Sequence, residues 1–430
     1  MSAGAAGPAP NGHTARPPLL GTMWGGGFDS ITPLTRLGGR EQRLDLVAAT
    51  EHDRRAAEDY RLLARLGLGW TREDVRWHLC EPEPGRYTFA HLEPFVRAAQ
   101  AHHIRIVWSW MHYGCPGFVN PLDDRFPDQL AALGMRHLIW LREQGLAAEI
   151  VAPINELSYY TWYAASLGTW YPYAKGQDRR LKDQLIAAHR RCYERAKEVD
   201  AGTRVLLIDP FYYAIGNEAD PGSLAEAAFW REAALEATDR LADRTDLVGM
   251  NFYPEGQVEC FRDGRSRRYQ RRALLLSDPR RLPLDGALRL YHQRLGDKPI
   301  IVTETSVRGE RRGPWLRRLT DEAVWAIAAG LPLEGLCWYP VLDVPDWGYL
   351  AQPPPVPDRT LREARLAHSG LIGVERTPHG LRRTFSPTMA GVVRLQEARL
   401  LQARALQAQA TPDAVDTADA SPAATGLSAD

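Results

Sequence analysis

Lys298-Pro299-Ile300-Ile301-Val302-Thr303-Glu304 and the earlier run Ile150-Val151-Ala152-Pro153-Ile154-Asn155-Glu156 are built alike. Each is a short apolar, β-rich stretch, the pattern of a parallel strand buried on both faces. Each stops on a glutamate. A carboxylate at a strand's last position belongs at the mouth of a sheet or barrel, not in its interior.

Working outward, similar runs at 19–25, 68–75, 104–110, 149–155, 204–209, 246–252, 299–304 and 333–339 read as strands. Between them, helical spacing predicts helices over 53–66, 91–102, 127–144, 181–199, 223–242, 284–295 and 315–329, with a last one at 387–406. Eight strands alternating with eight helices predict an α/β fold, a single-domain (β/α)8 TIM barrel. The barrel is expected over 19–407. The Ala/Gly/Pro-rich segment 1–18 and the Ala/Thr/Asp/Ser-rich tail 408–430 are expected to be disordered. A chain of 430 residues suits one such barrel with insertions.

Composition narrows the function. Formal net charge is zero, with 53 basic and 53 acidic residues, which gives no pull toward nucleic acid. No run of about 18 apolar residues exists, so no membrane span is expected. The N-terminus lacks an apolar core of the secretory kind, and the five cysteines (Cys80, Cys115, Cys192, Cys260, Cys337) are widely spaced and odd in number. Free thiols and a cytoplasmic location are expected. No HExxH motif or Cys/His cluster is present, so neither metal nor cofactor is expected. Gly25-Gly26-Gly27 lacks dinucleotide-binding spacing and reads instead as close backbone approach at a pocket floor. The thirteen Trp and sixteen Tyr are as consistent with sugar stacking as with core packing.

Glu156 and Glu304 end the fourth and seventh predicted strands. Barrel enzymes carry catalytic groups at the C-terminal ends of strands, and these two ends lie across the mouth from each other. Cleavage of a glycosidic bond needs two carboxyl groups, one to protonate the leaving oxygen and one to attack the anomeric carbon or activate water. Asn155 is expected to hold the sugar's 2-hydroxyl. Glu156 would then be the acid/base, raised by the other carboxylate, and Glu304 the nucleophile.

At this point the chain resembles the retaining β-glycosidases of glycoside hydrolase family 1, from about Trp24 to Ser386. Ile154-Asn155-Glu156 resembles that family's Asn-Glu-Pro signature, with Leu157 where Pro is usual. Val302-Thr303-Glu304-Thr305-Ser306 resembles its Thr-Glu-Asn-Gly nucleophile motif. Asp246 to Tyr253 is similar to the strand-six motif, which implies that Tyr253 orients Glu304. Trp110-Met111-His112-Tyr113 resembles Leu-Tyr-His-Trp and assigns His112 to a sugar hydroxyl. Trp70-Thr71-Arg72 resembles the strand-two pattern and implies that Arg72 lies beneath the nucleophile. Trp338-Tyr339-Pro340-Val341-Leu342-Asp343, continuing to Asp346-Trp347, resembles the run after strand eight. It implies sugar contacts from Trp338, Asp346 and Trp347, with Asp346 replacing Glu. The family's strand-one Gln has no clear counterpart, and Trp24-Gly25-Gly26-Gly27-Phe28-Asp29 lies there instead. Glu81 to Phe89 looks more like sister families of the same clan.

The resemblance implies a β-glucosidase-like hydrolase acting on a carbohydrate or glycoside by double displacement. The alternatives are a transglycosylase on the same site and a catalytically weak carbohydrate-binding barrel. Sugar identity and oligomeric state stay open. Seven aromatics within 159–173 divide evenly between a leaving-group platform and loop packing. The Arg-rich stretch 262–281 reads first as a solvated loop or subunit contact, and second as a site for acidic sugars. Asp209 reads as a cap for the chain that follows it, and His102-His103 belongs to the opposite, stability face.

Overall fold

The computed structural model describes residues 17–410 apart from 38–39, 147, 264–267, 351–360 and 362–363. The expectations for 1–16 and 411–430 lie outside the described residues. Eight parallel strands close a barrel: β1 (Trp24–Gly27), β2 (Trp70–Asp74), β3 (Arg105–Met111), β4 (Ile150–Ile154), β5 (Arg204–Pro210), β6 (Leu247–Asn251), β7 (Ile300–Thr305) and β8 (Leu333–Trp338). Each pairs with its neighbour in sequence, and β1 pairs with β8 to close the ring. The predicted TIM barrel is therefore present. Its main helices are α1 (His52–Leu66), α2 (Glu93–His102), α3 (Phe126–Glu143), α4 (Asp178–Val199), α5 (Pro221–Leu241), α6 (Leu284–Leu295), α7 (Arg312–Ala328) and α8 (Pro387–Ala410).

The helices follow from apolar spacing and end signals. In α1, Ala56, Tyr60, Leu63 and Leu66 share a buried face, and the helix stops at Gly67. Gly67 takes φ 88°, which permits the left-handed cap at little steric cost. Helix α5 starts at Asp220, whose carboxylate accepts from the backbone of Gly222 and Ser223. Helix α8 continues to Ala410, past the expected boundary at 407.

Strand β1 lies later than the expected 19–25. Leu19 and Leu20 attracted that placement because they are apolar, but Leu20 instead packs with the barrel interior beside Trp70, Val107 and Ile150. The strand itself is Trp-Gly-Gly-Gly. Its glycines answer to bulky neighbours: a Cβ on Gly25 would meet the Trp70 ring at 2.3 Å, and one on Gly27 would meet Tyr339 at 2.2 Å. The start of β1 is tied down from the far end of the chain, where Glu397 in α8 accepts from the backbone N–H groups of Met23 and Trp24 at 2.9 and 2.7 Å.

Shorter pieces decorate the mouth. A hairpin, Leu34–Leu37 with Arg40–Arg43, follows β1, and another, Gly373–Thr377 with Gly380–Thr384, follows β8. The chain after β5 and the chain after β6 form a three-stranded sheet from Tyr213–Ile215, Gln257–Phe261 and Gln270–Ala273.

Candidate active site

Glu304 reaches the mouth because β7 breaks step. Ile301 points into the barrel with Cys337 and Leu206. Strict alternation from Ile301 would turn Glu304 toward the helices. The pairing shifts register between Val302 and Glu304 against β6, and between Val302 and Thr305 against β8. Such an irregularity re-aims a side chain. The carboxylate meets two donors: Nη1 of Arg72 at 2.7 Å on Oε1, and the Tyr253 hydroxyl at 3.0 Å on Oε2.

Arg72 comes from β2, two residues after the interior Trp70, and is 2% exposed. Its Nη1 also donates to the Thr303 carbonyl at 3.0 Å, and its Nη2 to Oδ1 of Asn155 at 2.7 Å. One guanidinium thus holds Glu304 and the residue next to Glu156. Oδ1 of Asn155 is taken by Arg72, so its Nδ2 faces Nε2 of His112 at 2.9 Å and the Tyr113 hydroxyl at 3.3 Å. Arginine only donates, which fixes this orientation. His112 then accepts at Nε2, and its Nδ1 stands 3.9 Å from Oδ2 of Asp74. Burial, with Arg72 second, holds His112 well below the usual imidazole range, so the ring is neutral. Burial pushes Asp74 up to about 8.

Glu156 stands two residues beyond β4, after Asn155, with φ 48° and ψ 61°, a left-handed conformation that is uncommon outside glycine. Its N–H donates to the Ile208 carbonyl at 3.0 Å. Its carboxyl accepts from the Tyr113 hydroxyl. Burial raises the group to about 8, helped by the negative charge of Glu304; Tyr113 and Asn251 pull the other way. Behind it, Asp209 accepts from the Ser158 N–H at 3.0 Å and from the Ser158 hydroxyl. Asp209 was expected to cap the chain that follows it; it instead anchors the short helix Leu157–Thr161 that opens after Glu156. Burial lifts Asp209 to about 6.

Trp338, Asp346 and Trp347 differ in how far they reach into the site. Trp338 does not reach the centre. It is fully buried, packs among the helix-side residues and donates Nε1 to the Ser369 carbonyl at 2.8 Å. Strand parity explains this, since Cys337 and Tyr339, on either side of it, face inward. Asp346 is engaged by Arg308, at 2.9 and 3.2 Å. Trp347 lies at the rim, its ring 5.9 Å from Trp170 and 6.4 Å from Tyr163.

Two residues without an assigned role stand in the centre. Asp29, two residues beyond β1, is raised to about 7 by burial and then by Glu304, against the Trp347 indole and the Tyr339 hydroxyl. Tyr339 lies under the Arg72 guanidinium at 5.1 Å, and its carbonyl accepts from Tyr253 at 3.3 Å. Inward parity from Cys337 was the available signal for Tyr339. Asp29 sits where the resemblance offered no counterpart, so no motif pointed to it.

Of the seven clustered aromatics, Tyr160 and Trp170 are fully buried, and Tyr173 pairs with Glu41 and Arg36. Tyr171 lies edge-on to Tyr173 at 6.0 Å, and Tyr159, Trp162 and Tyr163 run from Tyr113 to the surface, where Trp162 is 43% exposed. In the Arg-rich stretch, Arg265 and Arg267 lie outside the described residues. Arg272 and Arg280 both pair with Glu259, and Arg271 stacks on Trp230 at 3.8 Å. These three charges are engaged by local partners. All five cysteines are buried and free. Among the described residues, no group of three or more His, Cys, Asp or Glu side chains is arranged to hold a metal, and no helix is long and apolar enough to cross a membrane.

No family model matches the chain, and no curated protein matches it by sequence. Solved structures do match in fold. A β-glucosidase from Thermotoga maritima in complex with glucoimidazole superposes with a TM-score of 0.69 at 14% identity, covering 89% of this chain and 99% of that one. The AHE enzyme from Alicyclobacillus herbarius gives 0.66 at 16%, covering 82% and 88%. A β-glucosidase named 1317, of unstated source, gives 0.61 at 22%, covering 81% and 89%. At these identities the likeness shows the fold, a (β/α)8 barrel of the same build as family 1 β-glucosidases.

Proposed function

We propose that the protein is a retaining β-glycosidase, β-glucosidase-like, with Glu156 as acid/base and Glu304 as nucleophile. The observation that carries this is the asymmetry between two carboxyl groups at one barrel mouth. Glu304 accepts from Arg72 and Tyr253 through both oxygens. Glu156 is buried and raised to about 8, so it carries a proton at neutral pH. Two carboxyl groups whose surroundings push them toward different roles are what acid-assisted displacement at an anomeric carbon requires. Glu156 protonates the leaving oxygen while Glu304 attacks, and Glu156 then takes a proton from the water that releases the sugar. Asn155 and His112, joined Nδ2 to Nε2 at 2.9 Å on the Arg72 side of the site, and Asp29, which feels the charge of Glu304 and meets the Trp347 indole, are the further polar groups proposed for sugar contact.

Aryl β-glycosides of glucose, galactose, xylose, mannose, fucose and glucuronic acid test the proposal, with wild type beside Glu304→Ala. Release from at least one sugar by wild type, lost by several orders of magnitude in the variant and partly restored by azide or formate, is the expected result. Near-full activity of Glu304→Ala would remove the nucleophile assignment.

A further inference from the structure

The hydrogen bonds around Asn155 have a single consistent direction. Arg72 has no acceptor, so Oδ1 of Asn155 must receive its Nη2 proton. The Asn155 amide then has only donors left for its other neighbours, Nε2 of His112 and the hydroxyl of Tyr113. Because Tyr113 receives a proton from Asn155, its own O–H is free to point at Oε2 of Glu156, the contact observed. The same guanidinium that clamps Glu304 therefore sets the polarity of a chain ending on Glu156.

From this geometry we propose that Tyr113 is the positioning residue of the acid/base: by donating to Oε2 it confines the transferable proton of Glu156 to Oε1 and stabilises the carboxylate left after transfer. The inference rests on the glycosidase proposal for its catalytic meaning. Its structural content does not depend on that proposal.

The local backbone supports it. Tyr113 takes φ 65° and Glu156 φ 48°, so both partners sit in the left-handed region that side chains rarely adopt. Conformations of this kind persist where the surroundings over-determine them. Next to Tyr113, a Cβ on Gly114 would fall 2.1 Å from the Thr32 carbonyl oxygen, so the turn presenting the phenol has no room to relax toward the hairpin. Tyr113 is 4% exposed and packed by the rings of His112, Tyr159, Tyr160 and Trp170. The other groups acting on Glu156 are Glu304 and Asp209, which raise it, and Asn251, which lowers it; Tyr159 and Tyr253 also stand within electrostatic reach. Of these, Tyr113 is the one joined both to Glu156 and to the Arg72–Asn155 chain.

The test is Tyr113→Phe, which keeps the ring and removes only the donor, with Tyr160→Phe as a control on a buried phenol that donates to the Tyr171 carbonyl. Two readouts are taken. The first is the titration of the Glu156 carboxyl by ¹³C NMR of glutamate-labelled protein, identified as the signal lost in Glu156→Gln. Removal of a donor to the charged form should raise its midpoint by about one pH unit in Tyr113→Phe and leave it in place in Tyr160→Phe. The second is kcat/KM. It should fall by roughly ten- to a hundredfold on a poor leaving group such as a methyl or alkyl glycoside, with little change on a dinitrophenyl glycoside that needs no protonation. An unmoved Glu156 titration overturns the inference, as does an equal loss on both leaving groups. Carboxyl titration needs no turnover, so a wild type inactive on every glycoside would sink the glycosidase proposal while this first readout still decided the role of Tyr113.

Discussion

Arg72 and Glu304 form a fully enclosed ion pair, Nη1 to Oε1 at 2.7 Å, with side chains 2% and 6% exposed. A charge pair this deep is expensive to assemble and more expensive to break from one side. Its second arm, on Asn155, makes it the joint between the two halves of the site.

Replacing Arg72 by Met should therefore cost more than activity. An unpaired Glu304 in the same cavity is expected to lower stability by roughly 3–5 kcal/mol, read as a shift of the urea midpoint at neutral pH. Turnover should fall together with it. A variant as stable as wild type would mean that the pair is not the structural joint described.

In the proposed mechanism Glu156 works in its protonated form in the first chemical step, so activity should be lost as pH rises through its value of about 8. The basic limb of kcat/KM on an alkyl glycoside is expected near that pH. With Glu156→Ala the limb should vanish, and kcat/KM on poor leaving groups should fall by about 10²- to 10⁴-fold. A basic limb that survives in the variant would belong to another group.

A second buried network supports β2 from outside the barrel. His52 joins Oδ2 of Asp59 at 2.8 Å to Oε1 of Glu73 at 3.0 Å, stacks on Phe28 at 3.7 Å, and shares Glu73 with the Tyr60 hydroxyl. Arg383, from the hairpin after β8, completes it on Asp59. Burial opposes the charge on His52, but Glu73 and Asp59 prevail and raise it from 6.5 to about 9. A folded value above the unfolded one gives stability that is complete below about 6.5 and lost as pH rises through about 9. His52→Gln should thus lower the melting temperature most at pH 6, and the gap from wild type should close by pH 9.5 or above. A gap that stays constant would show that His52 is neutral throughout.

Strands β3 to β8 were legible because each carries a stretch of buried apolar residues, β2 (Trp70–Asp74) from its position between two helical patterns although its buried residues are mostly polar, and α1 and α6 because their apolar spacing and end residues agree. Strand β1 was misplaced because its residues are glycines, chosen to clear Trp70 and Tyr339, and carry no hydropathy signal. The strand Gln270–Ala273 was not legible either: it is exposed and Arg-rich, and it exists through pairing with Gln257–Phe261. In the site, residues fixed by short motifs at strand ends, Arg72, Asn155, Tyr253 and Glu304, come together around one guanidinium and one carboxylate. Trp338 did not, because the residue that faces inward there is Tyr339, one position on. Tyr113 and Asp29 owe their places to turn geometry after β3 and β1, which no local pattern encodes.

The most direct measurement is intact-protein mass spectrometry after incubation with the activated 2-deoxy-2-fluoro glycoside of the preferred sugar, followed by peptide mapping. A double displacement through Glu304 predicts one sugar-sized adduct per chain, located on Glu304 and absent from Glu304→Gln. An active enzyme that forms no adduct, or one that carries it elsewhere, would contradict the assignment of Glu304 as the nucleophile of a retaining glycosidase.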